Sequence, residues 1–237
     1  MEPSSNSGAT PHASEKLWRY MSFARFAWLL HKKVLWLSRA DLLGDPWEIS
    51  LAGDQLAYVI SRHPPDDIFS KKPRESARER SERIIKLWRR SAFVSCWSSS
   101  EHESHALWRI YCRSIEGVAI QTTFAKLRES VGGCKLLKVR YEVGKTKVTP
   151  TILDLVSQKR PMFEYEHEVR VVCVIEPPLE MPARPITWDP EKNLESVRVH
   201  PEADDSFMET VRATVEKFAP KLLDRVAWSD METPPPF

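Results

Sequence analysis

Residues 163–170 read FEYEHEVR, and the reading of this stretch decides the fold. Glu164, Glu166 and Glu168 occupy every second position and Arg170 continues the series, while Phe163, Tyr165, His167 and Val169 alternate with them. The chain then runs on as apolar VVCVI. A period of two predicts a strand with the three carboxylates and Arg170 on one face. Alternate strand residues lie roughly 6.6–7 Å apart, so three ionised carboxylates repel one another unless a cation or a proton lies among them. The row is therefore either a wet outer face, where Arg170 supplies an ion pair, or a site.

Working outward, LWRYM (17–21) and VLWLS (34–38) predict strands on either side of a helix over SFARFAWLLH, with Ser22 as its N-cap. The loop RADLLGDPWE follows, punctuated by Gly44 and Pro46 around Asp45. Residues 71–90 predict a long helix carrying nine Lys or Arg against three Glu, with Glu79 to Arg83 and Glu82 to Lys86 at ion-pair spacing. Further strands are expected over AFVSCWSSS, GVAIQTT and CKLLKVRYEV (134–143), and helices from Glu101 to Cys112, after Thr123, over TILDLVSQ, and along Phe207 to Phe218. The stretch LLDRVAW is read as a last strand, and the part between Pro177 and Pro201 as proline-punctuated connection. Strands and helices mix without regular alternation. That predicts an α+β fold: one domain over 17–229 with a mixed, largely antiparallel sheet flanked by helices. Residues 1–16 are read as a polar disordered arm and 230–237 as a loose tail.

The formal charge of +2, from 35 basic and 33 acidic residues, demands neither nucleic acid nor an anionic membrane. No apolar run reaches the roughly 20 residues of a spanning helix, and residues 1–16 lack the features of a secretory leader. The expected address is the cytoplasm, without membrane contact. Cys96, Cys112, Cys134 and Cys173 show no metal-binding spacing and are expected to be reduced and mostly buried. The local +6 of the 71–90 segment makes its 74–90 helix a candidate for weak nucleic-acid contact. A solvated helix held down by Ile84, Leu87 and Trp88 is the competing reading.

Phosphate-loop, dinucleotide-fingerprint, nucleophile-elbow and HExxH patterns are all absent, and seven glycines are few for phosphate-cradling loops. The segments LWRYMSF, SRADLLGDPWE, VSCWS, LWRIYCRSIEGVAIQTTFAKL, VRYEV and KRPMFEYEHEVRVV, in that order, resemble a bacterial family known as a domain of unknown function. Several of its members look like defence or toxin accessory proteins. Its members commonly have Asn-Asp-Pro where this chain has Gly44-Asp45-Pro46.

A basic residue on an early strand, serines on a middle strand and Glu-x-Glu on a late one also resemble, distantly, the ADP-ribosyltransferases, whose split antiparallel sheet cradles NAD. The matching residues here are Arg19, then Ser95 and Ser98, then Glu166-His167-Glu168. The resemblance implies that NAD is consumed as a substrate, with a protein or nucleic acid as a further acceptor. Breaking the nicotinamide–ribose bond builds positive charge on the sugar, which a carboxylate stabilises as it develops. Glu168 is expected to take that part, with Glu166 orienting or deprotonating the acceptor. Arg19 is expected to hold the pyrophosphate, with Tyr20, Trp108 or Tyr111 stacking on the nicotinamide and Arg170 keeping the glutamates ionised. Asp45, in its punctuated loop, completes the candidate cofactor-binding set.

That reading assigns no residue to a metal. An alternative enzyme, a nuclease, would place magnesium on Glu166, Glu168 and either Asp45 or Glu48, with Lys159 assisting. A non-catalytic binding module using the basic helix and exposed tryptophans is the third reading. A cleft joining Arg19 to Glu168 favours NAD, and glutamates open to bulk water favour the module.

Overall fold

Why β-branched and aromatic runs here become one sheet is clearest at its centre, where strand β3 (Ala92–Ser99, AFVSCWSS) is buried along nearly its whole length. The computed structural model describes residues 11–51, 53–62, 76–142, 150–176 and 180–231. On one side β3 pairs throughout with β6 (Glu168–Val174), from Ala92 opposite Val174 to Ser98 opposite Glu168. On its other side two strands share it. Its end at Leu17↔Ser99 and Trp18↔Ser98 belongs to β1 (Lys16–Ser22), and its start at Ser38↔Val94 and Arg39↔Phe93 to β2 (Val34–Arg39). Ser95, Cys96 and Trp97 have no strand partner on that side, so the sheet is split between β1 and β2. The helix that joins those strands, α1 (Phe23–Lys32), buries Phe26, Leu29 and Leu30.

Among the described residues nine strands form one sheet in the order β5-β6-β3-β1-β4-β8-β9, with β2 and β7 branching from β3. Here β4 is Gly117–Thr123, β5 Lys135–Lys138, β7 Ala183–Thr187, β8 Ser196–Val199 and β9 Val226–Trp228. All pairings are antiparallel except β8 with β9. The fold is thus α+β, as expected. Helices α2 (Gly53–Arg62), α3 (Ala77–Ser91), α4 (His105–Cys112), α5 (Phe124–Ser130), α6 (Ile152–Val156), α7 (Pro190–Asn193) and α8 (Asp205–Phe218) flank the sheet.

Alternation assigns the sheet's faces. Leu17, Met21, Phe93, Trp97, Val169 and Val171 point to a large core closed by α1, α5 and α8. Val94 and Val172 meet Ala40, Ile49, Leu155 and Val156 on the opposite face. Trp18 and Tyr20 pack on Leu107, Trp108 and Cys112 of α4. Among the described residues no helix is long and apolar enough to cross a membrane.

Several expectations are corrected. The FEYEHEVR stretch is not one strand: Pro161–Glu166 forms a 3-10 helix, His167 turns through the left-handed region at φ 42°, and β6 begins only at Glu168. Proline fits the first helical position, and Pro161 begins the turn there. The expected strand 134–143 shrinks to Lys135–Lys138, and the expected Glu101 helix starts at His105 behind its cap Ser104. Pro220–Arg225 is 3-10, so the last strand is Val226–Trp228 alone. The proline-punctuated stretch holds β7 and β8; Pro185 is tolerated because β7 pairs only with β2 and so lies at an edge.

Cys134 and Cys173, expected to be reduced, form a disulfide. Antiparallel pairing of Lys135 with Val172 brings them together. Ser22 stands at the N-cap of α1 but makes no side-chain cap bond. Glu79 closes a capping box with Ser76, and Glu82 pairs back to Arg78 at 2.9 Å. Of the expected arm, residues 1–10 lie outside the described part, whereas Ala13 and Glu15 accept 2.9 Å backbone bonds from Ala125 and Phe124. Residues 71–75 and 232–237 also lie outside it.

Candidate functional site

The gap between β1 and β2 is lined from both faces of the sheet. A cavity of about 170 Å³ collects Arg19 and Trp97 from one face and Cys96, Ser98 and Glu168 from the other, with Tyr111 of α4 and Glu166 closing it. A second cavity of about 410 Å³ adjoins it, sharing Arg19, Tyr20, Arg25 and Ser38 and reaching Trp28 and Trp36. The two together form a cleft with an acidic inner end and a basic waist.

The inner end is built on a chain of buried charges. Arg170 is wholly buried and spends all five of its donors on the protein. Nη1 and Nη2 each meet one oxygen of Glu48 at 2.7 Å. Nη1 also donates to the Val156 carbonyl at 2.7 Å, and Nε and the second Nη2 proton reach Glu168 at 3.0 and 2.9 Å. Such a fork satisfies the planar guanidinium completely. Arg170 therefore fixes Glu168 in place and has no donor left for a ligand.

Lys159, only 9% exposed, bridges the two glutamates, bonding Glu166 at short range and Glu168 at 3.2 Å. Burial opposes its charge, but Glu168 and Glu166 outweigh that and raise its pKa, so it stays an ammonium ion. Burial likewise pushes Glu168 upward, yet Arg170 and Lys159 prevail and bring it down to about 2. The Tyr141 hydroxyl accepts from the Glu168 backbone N–H at 2.6 Å.

The two glutamates differ in what remains free. Glu168 accepts twice from Arg170 and once from Lys159, and the half-buried Cys96 lies beside it. A carboxylate offers about four lone-pair sites, so three of those on Glu168 are taken. Glu166 accepts from Lys159 and from the Tyr111 hydroxyl, at 3.1 Å, which leaves half its capacity facing the cavity. The Tyr111 pKa is raised by burial and by that carboxylate, so the phenol keeps its proton. The left-handed turn at His167 is what lets Glu166 and Glu168 converge on one lysine instead of standing in a row.

At the waist, Arg19 lies over the Trp97 ring at 5.9 Å. Among the described residues neither Arg19 nor Arg25 has an ion pair. Burial lowers the Arg19 pKa to about 10, with repulsion from Arg25 adding to the effect; it remains a cation at neutral pH.

The remaining expected residues divide. Ser98 and Tyr20 line the cleft, although the Tyr20 hydroxyl already accepts from the Ser104 N–H at 2.7 Å. Ser95, on the same face of β3 as Trp97, is buried with a hydroxyl unpartnered among the described residues and does not line the cleft. Trp108 is 1% exposed, edge-on to Tyr20 and bonded to Glu103, so it is core and not a stacking platform. Asp45 grips Arg160 at 2.9 Å and the Trp47 N–H at 3.0 Å; it shapes the loop that presents Glu48, away from the cavity.

On α3, Arg89 donates to the Pro46 and Glu48 carbonyls at 2.7 and 2.8 Å, and Arg90 pairs with Glu180. Two of the basic residues thus brace the fold, while Leu87, expected to hold the helix down, is 41% exposed.

The wet-face reading of the glutamates fails, because Glu166 and Glu168 are 6% and 4% exposed. For a nuclease, the cation positions beside Glu48, Glu166 and Glu168 are taken by Arg170 and Lys159. Among the described residues no group of three His, Cys, Asp or Glu could hold a metal ion. Lys159 was legible only as a helper of that nuclease, and Arg25, Trp28 and Trp36 carried no sequence signal beyond helix and strand periodicity. No protein-family model, curated protein or solved structure matches this chain.

Proposed function

We propose that this protein binds NAD in the split-sheet cleft and cleaves its nicotinamide–ribose bond, as an ADP-ribosyltransferase-like enzyme or NAD glycohydrolase. One observation carries the reading: a single cleft joins two cations without counterions among the described residues, Arg19 and Arg25, to a pair of fixed carboxylates, one of which, Glu166, accepts only two bonds. That charge layout suits a ligand with a diphosphate at one end and a developing sugar cation at the other. The part first given to Glu168 passes to Glu166, which has capacity to spare; Glu168 becomes a positioning residue acting through Lys159.

In this mechanism the glycosidic C–N bond breaks and its electron pair passes to the ring nitrogen, so nicotinamide leaves neutral. The positive charge left on the ribose is stabilised by Glu166, preorganised between Lys159 and Tyr111 so that it need not reorient as charge develops. Water or an acceptor hydroxyl then adds to the same carbon and gives up one proton, which Glu166 can take. Lys159, held protonated, cannot be that base. The balance is NAD plus water, or acceptor, to nicotinamide, the ADP-ribosyl product and one proton.

The test is calorimetric titration of NAD into the wild type, followed by nicotinamide release with and without cell extract as a source of acceptor. Binding accompanied by release supports the enzyme. No heat and no release at millimolar NAD would remove it.

A further inference from the structure

The outer cavity has features that cleavage at the inner end does not use. It is more than twice the size of the inner one and lies within the range of small-molecule sites. Its floor is apolar, with Met21 and Leu29 buried beneath. Trp28, on the first helix, is 51% exposed and stands at 84° to Trp36 with centroids 6.1 Å apart, so the two indoles form an L-shaped shelf. A large aromatic left half in water beside an apolar chamber offers a flat surface to a planar ring. Arg19 and Arg25 line both cavities, at the junction of the shelf and the inner end. Two like charges, one of them half-buried, with no carboxylate between them are unfavourable until an anion bridges them.

We propose that the outer cavity binds the adenosine diphosphate half of a dinucleotide, with the diphosphate across Arg19 and Arg25 and the base on Trp28. The inference rests on the NAD reading for the identity of the nucleotide and adds the determinants that distinguish a dinucleotide from a mononucleotide. The ligand spans the cleft: base on the shelf, phosphates at the waist, reacting sugar beside Glu166. Nicotinamide mononucleotide, which leaves the shelf empty, is accordingly a poor ligand.

The test uses the intact protein and calorimetric titration with ADP, which has no nicotinamide and so reports on the outer cavity alone. Wild type is compared with Trp28→Ala and Arg25→Gln; both residues are exposed, and unchanged melting temperatures verify folding. Wild type should bind ADP more tightly than nicotinamide mononucleotide. Trp28→Ala should weaken ADP about 5- to 150-fold, the usual range for one stacked base, and Arg25→Gln should weaken ADP far more than adenosine. ADP affinity unchanged in both variants, or no ADP binding by the wild type, would overturn the proposal. If ADP binds with the expected losses but nicotinamide is never released, the outer site stands and the enzymatic reading falls. If nicotinamide is released while both variants bind ADP like wild type, the reverse holds.

Discussion

Replacing Arg170 with methionine removes the cation on which both oxygens of the Glu48 side chain depend. Glu48 is 4% exposed, so the change strands a carboxylate in the interior, whereas Glu168 keeps Lys159. Breaking a buried ion pair from one side costs about 3–5 kcal/mol, and about 1 kcal/mol moves the melting temperature of a chain this size by 2–4 °C. The variant should therefore melt roughly 6–20 °C lower, with its urea midpoint reduced and its m-value unchanged.

The pH dependence separates charge from packing. In the wild type the carboxyl of Glu168 falls from an ordinary 4.5 to about 2, so its contribution is present above its unfolded value and is lost as pH drops through the folded one. At about 1.36 kcal/mol per unit this is on the order of 3 kcal/mol, lost between pH 5 and pH 1.5. In Arg170→Met the carboxyl of Glu168 loses the cation that does most to lower its pKa, so the part of the deficit that comes from that lost attraction is full at pH 7 and shrinks as pH falls. Urea melts of both proteins at pH 7, 5.5 and 4 should show the deficit narrowing, and adding Glu48→Gln should restore part of it at pH 7. A deficit under about 1 kcal/mol, or one that ignores both pH and the second substitution, would refute the argument that this charge chain is dry.

Three other outcomes follow from the geometry. Tyr111→Phe removes one of the two bonds that aim Glu166 and should lower nicotinamide release while shifting the melting temperature by no more than a few degrees. Gly117→Ala would bring a Cβ within 2.5 Å of the Cys112 Cβ, an overpacking worth about 1–3 kcal/mol and readable as a lower urea midpoint. Reducing the Cys134–Cys173 bridge, or replacing both cysteines with serine, opens a loop of sequence separation 39 and should cost about 4 kcal/mol by loop entropy, measured by thermal melts with and without reductant.

The elements legible in the sequence were those whose periodicity had a single interpretation. LWRYM, VLWLS, AFVSCWSSS and GVAIQTT alternate or run apolar between clear breaks, and each is a strand; the apolar series from Phe207 to Val215 is a helix. FEYEHEVR misled because its alternating letters cannot tell a strand from a 3-10 turn ending in one left-handed residue, and only the turn brings Glu166 and Glu168 together on one lysine. Pro161 was the available signal against a continuous strand. β7 was hidden by a proline that an edge strand tolerates, and the short β8 by the prolines on either side of it. The split of the sheet depends on β3 being shared by two strands, the disulfide on the register of β5 against β6, and the clamp of Lys159 on the turn that follows it. The first two are long-range pairings and the third is a turn geometry, none of them visible to local pattern. The site was therefore found through its carboxylates and Arg19, while its division of labour came only from counting hydrogen bonds.

The most direct measurement compares nicotinamide release by Glu166→Gln and Glu168→Gln, each with its melting temperature. Glu166→Gln should fold nearly as well as wild type and lose release by about 100-fold or more, and Glu168→Gln, which disturbs the partners of Arg170 and Lys159, should show the larger loss of stability. Release that persists in Glu166→Gln, or a well-folded Glu168→Gln that alone abolishes it, would contradict the assignment of Glu166 as the carboxylate that meets the sugar.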